Sequence, residues 1–228
     1  MAQDEPRRTD FFAALPPEVT GRLLERASPM RIGASQTLFV AGDPGDGCYI
    51  IDEGLLKVEL ASEAGVNRIL ALLRPGAVVG ELSLIDGRPR SASVSALRPS
   101  KLRFVSRVVF EDLVAGDLTT MKRVAAMLAT RLRDTNLALA RSNVMPVKGR
   151  LAVAMVALAE SFGQTVGPGR TLIKVKLSQG DIAAMAGVSR EVASRILNDW
   201  LRRGELSRLA GYYCIEKAEA INQAADSG

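Results

Sequence analysis

The chain has 228 residues, of which 47% are hydrophobic, which is enough apolar content to form the cores of one or two domains. A net charge of +5 favours an anionic partner, and the absence of histidine excludes haem ligation by imidazole, most zinc sites and the commonest general base. Two cysteines, a charged N-terminus and no apolar run near the roughly 18 residues of a membrane span predict a cytoplasmic protein with no membrane partner.

The N-terminal half is predicted to be rich in short strands. A helix is expected over residues 11–28, with Leu15, Val19, Leu23 and Leu24 on one face. Strands are predicted at 36–40, 48–51 and 55–60, and the turns between and after them at 42–47, 52–54 and 75–76. Many short strands at this spacing indicate a barrel-like or sandwich-like sheet.

Residues 80–92, here called the cassette, combine side chains that suit a ribose-phosphate. The guanidinium of Arg90 matches a phosphate in geometry and charge, and Ser91 adds a hydroxyl. Glu81 can only accept hydrogen bonds, so it suits a sugar hydroxyl. From composition alone, a strand, a turn and a strand with solvated charges are an equally good interpretation.

A long helix is predicted over residues 109–143. Apolar and small side chains recur at steps of three and four, which is typical of a heptad seam: Leu118, Met121, Ala125, Leu128, Leu132, Thr135, Leu139 and Ser142. The alternative is a helix packed on its own domain, but the spacing favours a two-stranded coiled coil and therefore a homodimer. The hydroxyl of Thr135 on this seam needs a partner, either the other chain or a ligand.

After an expected hinge at Met145 and Pro146, the chain is predicted to be mainly helical. We expect a helix over 149–161 with Leu151, Met155 and Leu158 inward, a loop over 162–170, a strand over 172–177 and a hairpin over 207–215. Between the strand over 172–177 and the hairpin, we expect two short helices joined by a turn at Gly187. This is the pattern of a helix-turn-helix.

The first of these helices is expected to begin with a capping box formed by Ser178 and Asp181, and the second with Ser189 as its cap. Val192, Ala193, Ile196, Leu197 and Trp200 share one face of the second helix, and Arg190, Glu191, Ser194 and Arg195 share the opposite one. A cation in the first turn of a helix is disfavoured by the helix dipole, whereas a helix that reads bases uses arginine there. Ten Lys or Arg residues against five acidic ones between Pro146 and Tyr212 favour DNA as the partner.

These motifs resemble those of the cyclic-AMP receptor protein/FNR superfamily of bacterial transcription regulators over essentially the whole chain. The resemblance implies an α+β protein with an N-terminal β-roll, jelly-roll-like cyclic-nucleotide-binding domain over 1–108, a dimerisation coiled-coil helix and hinge over 109–144, and a winged helix-turn-helix over 145–228. It also implies a double-stranded DNA partner, contact with RNA polymerase and an allosteric cyclic nucleotide. The alternative from another class is an enzyme acting on nucleotides, but the acidic residues are scattered and the sequence has no histidine, so we expect no enzymatic activity, cofactor or metal.

The resemblance also implies a role for individual residues. Glu81 would hold the ribose 2′-hydroxyl, and Arg90 and Ser91 the cyclic phosphate. The remaining ligand contacts would come from Gly80, Leu82, Val58, Leu70, Ala71, Thr135 and Asn136. Arg190, Glu191 and Arg195 would read a TGTGA-like half-site, with Ser178, Ser189 and Ser194 also on the DNA-binding surface.

Departures from the family pattern leave alternatives open. The sequence lacks the N-terminal cysteine cluster of an iron-sulfur sensor and the histidine of a haem sensor. Asn136 stands where the cyclic-AMP receptor protein has a serine, and an amide can bond either purine, so cyclic AMP and cyclic GMP both remain candidates. A regulator that binds DNA without a ligand is the other alternative, and the sign of regulation is open.

Overall fold

A computed structural model of the chain describes residues 15–61, 67–114 and 117–226. These residues fall into two compact units, one made of 15–60, 70–114 and 117–137 and the other of 61, 67–69 and 138–226. Among the described helices, none combines the length and the apolar character needed to cross a membrane.

The N-terminal unit is built on a six-stranded sheet. Its strands are β1 (Ser28–Ile32), β2 (Thr37–Phe39), β3 (Gly47–Ala61), β4 (Asn67–Leu73), β5 (Val78–Val79) and β6 (Ser93–Ser106). The main order is β1-β6-β3-β4, with β2 paired to β6 and β5 paired to β3. Strand β6 pairs with β1, β2 and β3, in each case antiparallel. Because it has three partners, β6 joins the sheet together.

The prediction of two strands separated by a turn at 52–54 was wrong. The backbone runs through this segment as the single strand β3, and its pairing with β6 shifts register at three places between Ile51 and Leu56. Gly54 has φ = 107°, a left-handed conformation that favours glycine, and a Cβ there would lie 2.1 Å from the hydroxyl of Ser100. The glycine that suggested a turn therefore belongs to a bulge inside a continuous strand.

Four helices of the described residues lie wholly or mainly in this unit: α1 (Pro17–Glu25), α2 (Glu81–Asp86), α3 (Arg107–Val114) and α4 (Leu118–Val144), whose residues from 138 on belong to the other unit. Three of the four residues predicted on the apolar face of the first helix are confirmed, since Leu23 is buried in a core cluster and Val19 and Leu24 pack against it. Leu15 is buried in the same cluster but precedes the helix, which begins at Pro17. That helix is shorter than predicted, because Ser28 already belongs to β1, and residues 11–14 lie outside the described part. The expected single helix over 109–143 is also corrected, since α3 ends at Val114 and the long helix begins at Leu118.

The C-terminal unit contains α5 (Val147–Phe162), α6 (Gln179–Ala186), α7 (Arg190–Arg202) and α8 (Ala218–Asp226). A four-stranded sheet, ordered β7-β8-β10-β9, is formed by β7 (Gly163–Gly167), β8 (Arg170–Ile173), β9 (Leu206–Leu209) and β10 (Tyr212–Ile215). The helix break at Pro146 and the inward positions of Leu151, Met155 and Leu158 are confirmed. The α+β class is also confirmed.

Two local predictions in this unit were wrong. Residues 162–170 were expected to form a loop, but they contain β7, which pairs antiparallel with β8. The strand expected over 172–177 begins earlier and ends at Ile173. Glycine and proline indicated a loop, whereas the segment forms a hairpin with β8, and β8 is joined to the rest of the sheet by its pairing with β10.

Candidate functional site

The cassette is organised around the side chain of Arg90, which is only 4% exposed. Its Nη1 donates hydrogen bonds to the backbone oxygen of Gly47 at 2.7 Å and to that of Gly80 at 2.8 Å. A guanidinium Nη atom carries two hydrogens, so these two bonds use both of them. The backbone around the cassette therefore fixes the position of the positive charge.

The other edge of the Arg90 guanidinium carries Nε and Nη2. Its Nε is buried and has no hydrogen-bond partner among the described residues. Its Nη2 lies 3.5 Å from the carboxylate of Asp46, whose side chain is 76% exposed. Since Nε and Nη2 share one edge of the planar group, an oxyanion placed there can accept two parallel hydrogen bonds.

Two aromatic rings hold the plane of this guanidinium. The Arg90 Cζ lies 4.4 Å from the centre of the Phe39 ring and 5.9 Å from that of Tyr49. The two rings stack on each other with centres 6.0 Å apart. These cation–π contacts, together with the carbonyl bonds, orient the positive charge before any ligand arrives.

Gly80 and Glu81 lie beside Arg90. Gly80 has φ = 86°, and a Cβ at this position would come within 2.4 Å of the Arg90 Nη1, so glycine is required here. Glu81 is 4% exposed. Burial, and next the negative charge of Glu81, raise the pKa of the nearby Cys48 thiol to about 12, while Arg90 acts in the opposite direction. The N-terminal unit thus buries both a carboxylate and a guanidinium in the cassette.

The other predicted nucleotide contacts have different environments. Ser91 is exposed next to Arg90, and Leu82 and Leu70 are about half exposed. Val58 packs against the apolar cluster that includes Leu56, Val79 and Val94, and Ala71 is partly buried. Thr135 and Asn136 are exposed on α4. Within the described residues, no group of three or more Cys, Asp or Glu side chains could hold a metal ion.

The second candidate site is the helix pair α6 and α7. The predicted capping box is confirmed, because the Ser178 hydroxyl accepts from the Asp181 N–H at 3.0 Å and the Asp181 carboxylate accepts from the Ser178 N–H at 3.0 Å. The predicted cap of α7 is confirmed by the bond from the Val192 N–H to the Ser189 hydroxyl. Gly187 ends α6 in the left-handed conformation, which permits the tight turn.

The two faces of α7 differ as predicted. Ala193, Leu197 and Trp200 are buried, whereas Arg190, Glu191 and Arg195 are exposed and Ser194 is partly buried. Backbone N–H bonding at the start of the helix, followed by the Ser189 hydroxyl, holds the pKa of Glu191 below its usual range. Glu191 is therefore ionised near neutral pH and can accept a hydrogen bond from a base.

The hairpin of β9 and β10 follows these helices in the sequence, and cationic side chains lie against two of its tyrosines. The Lys176 Nζ lies 5.1 Å from the centre of the Tyr212 ring, and the Arg208 guanidinium lies over Tyr213 at 4.5 Å. At the base of the hairpin, Glu216 accepts from Arg170 at 2.5 Å and from Ser207 at 2.5 Å. The hairpin predicted over 207–215 is confirmed.

Sequence reasoning did not single out Asp46, Phe39 or Arg107, although all three contact or support the cassette. They lie between 17 and 51 residues from Arg90 along the chain, and no periodic pattern connects them. For Arg107, the sequence feature that could have suggested a role is a positive charge at the junction between the predicted strand-rich half and the predicted long helix.

Both sites match known family models. The cyclic nucleotide-binding domain matches residues 29–117, and the Crp-like helix-turn-helix domain matches residues 149–224. A relative from Mycobacterium tuberculosis, a CRP-like cAMP-activated global transcriptional regulator, is 31% identical over 90% of each chain. The chain belongs to the cyclic-AMP receptor protein (CRP/FNR) family of transcription regulators.

Other comparisons agree with this family. The cyclic AMP receptor protein of Thermus thermophilus is 29% identical over 94% of this chain and 96% of its own. The solved structure of the c-di-GMP-responsive regulator CLP from Xanthomonas campestris superposes with a TM-score of 0.76 at 21% identity, covering 88% of this chain and 99% of that one. The predicted DNA-binding and cyclic-nucleotide-binding character is thereby confirmed for this CRP-family chain.

Proposed function

We propose that this chain is a homodimeric bacterial regulator that binds a cyclic purine nucleotide, cyclic AMP in the first place, and thereby binds palindromic promoter DNA with TGTGA-like half-sites. The observation that carries the proposal is the fixed, buried guanidinium of Arg90, whose Nε lacks a hydrogen-bond partner among the described residues. A buried donor of this kind is costly unless a ligand satisfies it.

The nucleotide would be held at the cassette by its phosphate and its ribose. The Nε and Nη2 edge of Arg90 would donate to the cyclic phosphate, with the exposed hydroxyl of Ser91 beside it. Glu81 would accept from the ribose 2′-hydroxyl, and Gly80 permits close approach of the backbone. Leu82, Val58, Leu70 and Ala71 would supply the apolar contacts.

The choice of base would be made on the long helix. Thr135 and Asn136 are exposed on α4, where a nucleotide base or a second chain can reach them. Both the M. tuberculosis and the T. thermophilus relatives are named for cyclic AMP, which favours adenine. An amide at Asn136 is also compatible with guanine, so cyclic GMP is the alternative ligand.

The homodimer would form along α4. On this helix Leu118 is 67% exposed, Met121 is 45% exposed and Leu132 is 62% exposed in the single chain. They lie three and eleven residues apart on the heptad seam, and a second copy of the helix would cover them. Leu139 and Ser142, which continue the seam, lie outside the side chains that the structure describes.

DNA would be read by the exposed face of α7. Arginine in the first turn can form a bidentate contact with guanine, and an ionised glutamate can accept from cytosine N4. The bases of the half-site would be read by Arg190, Glu191 and Arg195. The DNA backbone would be contacted, or the base-reading side chains supported, by Ser178, Ser189 and Ser194. RNA polymerase is the expected protein partner, and the cytoplasm the expected location.

Binding of nucleotide and DNA would be coupled through a population shift. In the ligand-free dimer, the two helix-turn-helix units would have a spacing unsuited to successive major grooves, which are about 34 Å apart. A nucleotide that contacts both the cassette and Thr135 would favour the matching arrangement, with adjustment at Pro146. By linkage, DNA must then increase nucleotide affinity by the same factor.

A gel-shift titration of the full-length protein on a palindromic TGTGA-type duplex tests the proposal. Its arms contain cyclic AMP, cyclic GMP, c-di-GMP or no nucleotide, and a duplex with both half-sites scrambled serves as the control. We expect cyclic AMP to tighten specific binding by about tenfold or more. Equal DNA affinity in every arm would instead identify a ligand-independent regulator, and tightening by another nucleotide alone would correct the ligand.

A further inference from the structure

Arg107, the first residue of α3, connects three backbone segments around the cassette. Its guanidinium donates to the carbonyl oxygens of Leu84 at 2.9 Å and Gly45 at 3.0 Å, and also to that of Ser83. Ser83 and Leu84 belong to the short cassette helix α2, whereas Gly45 lies in the loop before β3. A single side chain therefore joins the cassette helix and this loop to the start of α3.

The same loop connects Arg107 to the proposed phosphate site. The backbone N–H of Arg107 donates to the Asp46 oxygen at 2.8 Å, and the Asp46 carboxylate lies 3.5 Å from the Arg90 Nη2. The next residue, Gly47, accepts from the Arg90 Nη1. Thus Arg90 and Arg107 hold the two-residue segment Asp46–Gly47 from opposite ends. An anion that binds the Nε and Nη2 edge of Arg90 must compete with the Asp46 carboxylate for Nη2. Its binding therefore changes the contacts of this segment.

Movement at Arg107 can reach the long helix through packed side chains. Glu111, one turn further along α3, lies 3.6 Å from the Arg107 Nη1 and so holds the guanidinium against its own helix. One apolar cluster combines Leu84 of α2, Phe110 of α3 and Val124 of α4. Since this cluster is closely packed, a shift of α2 relative to α3 displaces the contact with α4.

We propose that Arg107 is a positioning residue that transmits the occupation of Arg90 to α3 and α4. This inference rests on the proposed function, because it assumes an anionic ligand at the cassette. Arg107 does not contact the ligand. It holds the Gly45–Gly47 loop and the C-terminal carbonyls of α2, so that a change at the phosphate site becomes a change in the orientation of α3.

The test separates nucleotide affinity from coupling. Full-length parent protein and the variants Arg107→Gln, Arg107→Lys and Arg103→Gln are titrated with cyclic AMP by calorimetry. Their affinity for the palindromic duplex is then measured with and without saturating cyclic AMP. Arg103 is the matched control, because it is an arginine on the neighbouring strand β6 that pairs with Asp52 at 2.8 Å and does not touch the cassette loop.

We expect R107Q to lose about fivefold or more of the stimulation of DNA binding, a larger change than the change in its affinity for cyclic AMP. R107K keeps the charge but has a single ammonium instead of a planar fork, so it should retain an intermediate stimulation, even if R107Q does not fold. R103Q should behave like the parent protein.

Full stimulation in R107Q or in R107K would overturn the inference and leave the proposed function intact. A parallel loss of cyclic AMP affinity and of ligand-free DNA affinity would also overturn it, because it would assign Arg107 a purely structural role. If the parent itself shows no cyclic AMP binding, the proposed function fails and the inference fails with it.

Discussion

The cassette and helix α7 both use arginine and glutamate, but in opposite environments. Arg90 and Glu81 are each 4% exposed, whereas Arg190, Glu191 and Arg195 are all exposed. A small anion is held tightly where donors are fixed and water is excluded, which suits the cassette proposed to bind it. Duplex DNA approaches from solvent and is first attracted by charge, which suits the exposed residues of α7 proposed to read it. If both proposals hold, folding and binding are closely linked at the cassette and less so on α7.

Among the substitutions that test the difference between the cassette and α7, Arg90→Ala should have the largest effect. We expect nucleotide affinity to fall about 100-fold or more, because two charge-assisted hydrogen bonds to the phosphate are lost. Thermal stability should fall as well, since the carbonyls of Gly47 and Gly80 lose their donor. Calorimetric titration and a melting curve measure the two effects. Arg88→Ala, an exposed arginine of the same segment, is the control. Unchanged binding in R90A would refute the cassette assignment.

Glu191→Ala should affect recognition far more than folding. We expect discrimination at one base pair of the half-site to fall by roughly 1 to 3 kcal/mol. The melting temperature should fall only slightly, because the lowered pKa of Glu191 gives its ionised form a small stabilising role at the start of α7. Competition binding with duplexes substituted at each position measures this. Glu219→Ala, an exposed glutamate in the first turn of α8, serves as the control. A uniform loss of affinity across all duplexes would show that Glu191 does not read a base.

Asp46→Asn should raise nucleotide affinity at the cassette, which is a smaller change than that of Arg90→Ala and in the opposite direction. Removing the carboxylate near the Arg90 Nη2 removes both a competitor and a repulsive charge, so we expect nucleotide affinity to rise about twofold to fivefold. Calorimetry at low and high salt measures it, and the gain should shrink as salt screens the charges. Glu53→Gln, which neutralises an exposed carboxylate paired with Lys101, is the control. A lower affinity in D46N would contradict the proposed competition.

The smallest expected effect concerns Glu216, which is partly buried under the β9–β10 hairpin. Hydrogen bonds from Arg170, and next from Ser207, lower the pKa of Glu216 to about 2, below its usual 4.5. The ionised form therefore stabilises the folded state above pH 4.5, and this contribution is lost as the pH falls toward 2. Glu216→Gln should lower the melting temperature by a few degrees at pH 7, and the difference from the parent should narrow on acidification. A constant difference across that range would contradict this account.

The α7 region was predictable because its determinants are local. The bonds of Ser178 with Asp181 and of Ser189 with Val192 span three residues, and the polar and apolar faces of α7 follow the helical period. The cassette was predictable in its residue types but not in its contacts. Arg90 meets Gly47 across 43 residues of sequence, and nothing in either segment specifies that approach.

By itself, the sequence therefore determined the α+β organisation, the helix caps, the exposed polar face of α7 and the residue types of the cassette. The tertiary structure decided that β3 runs unbroken through Gly54, that residues 163–167 join a sheet and that α3 is separate from the long helix. It also decided which atoms of Arg90 the protein binds and where Arg107 attaches. Side-chain periodicity and capping act within a few residues, whereas strand pairing and burial of charge depend on segments that only folding brings together.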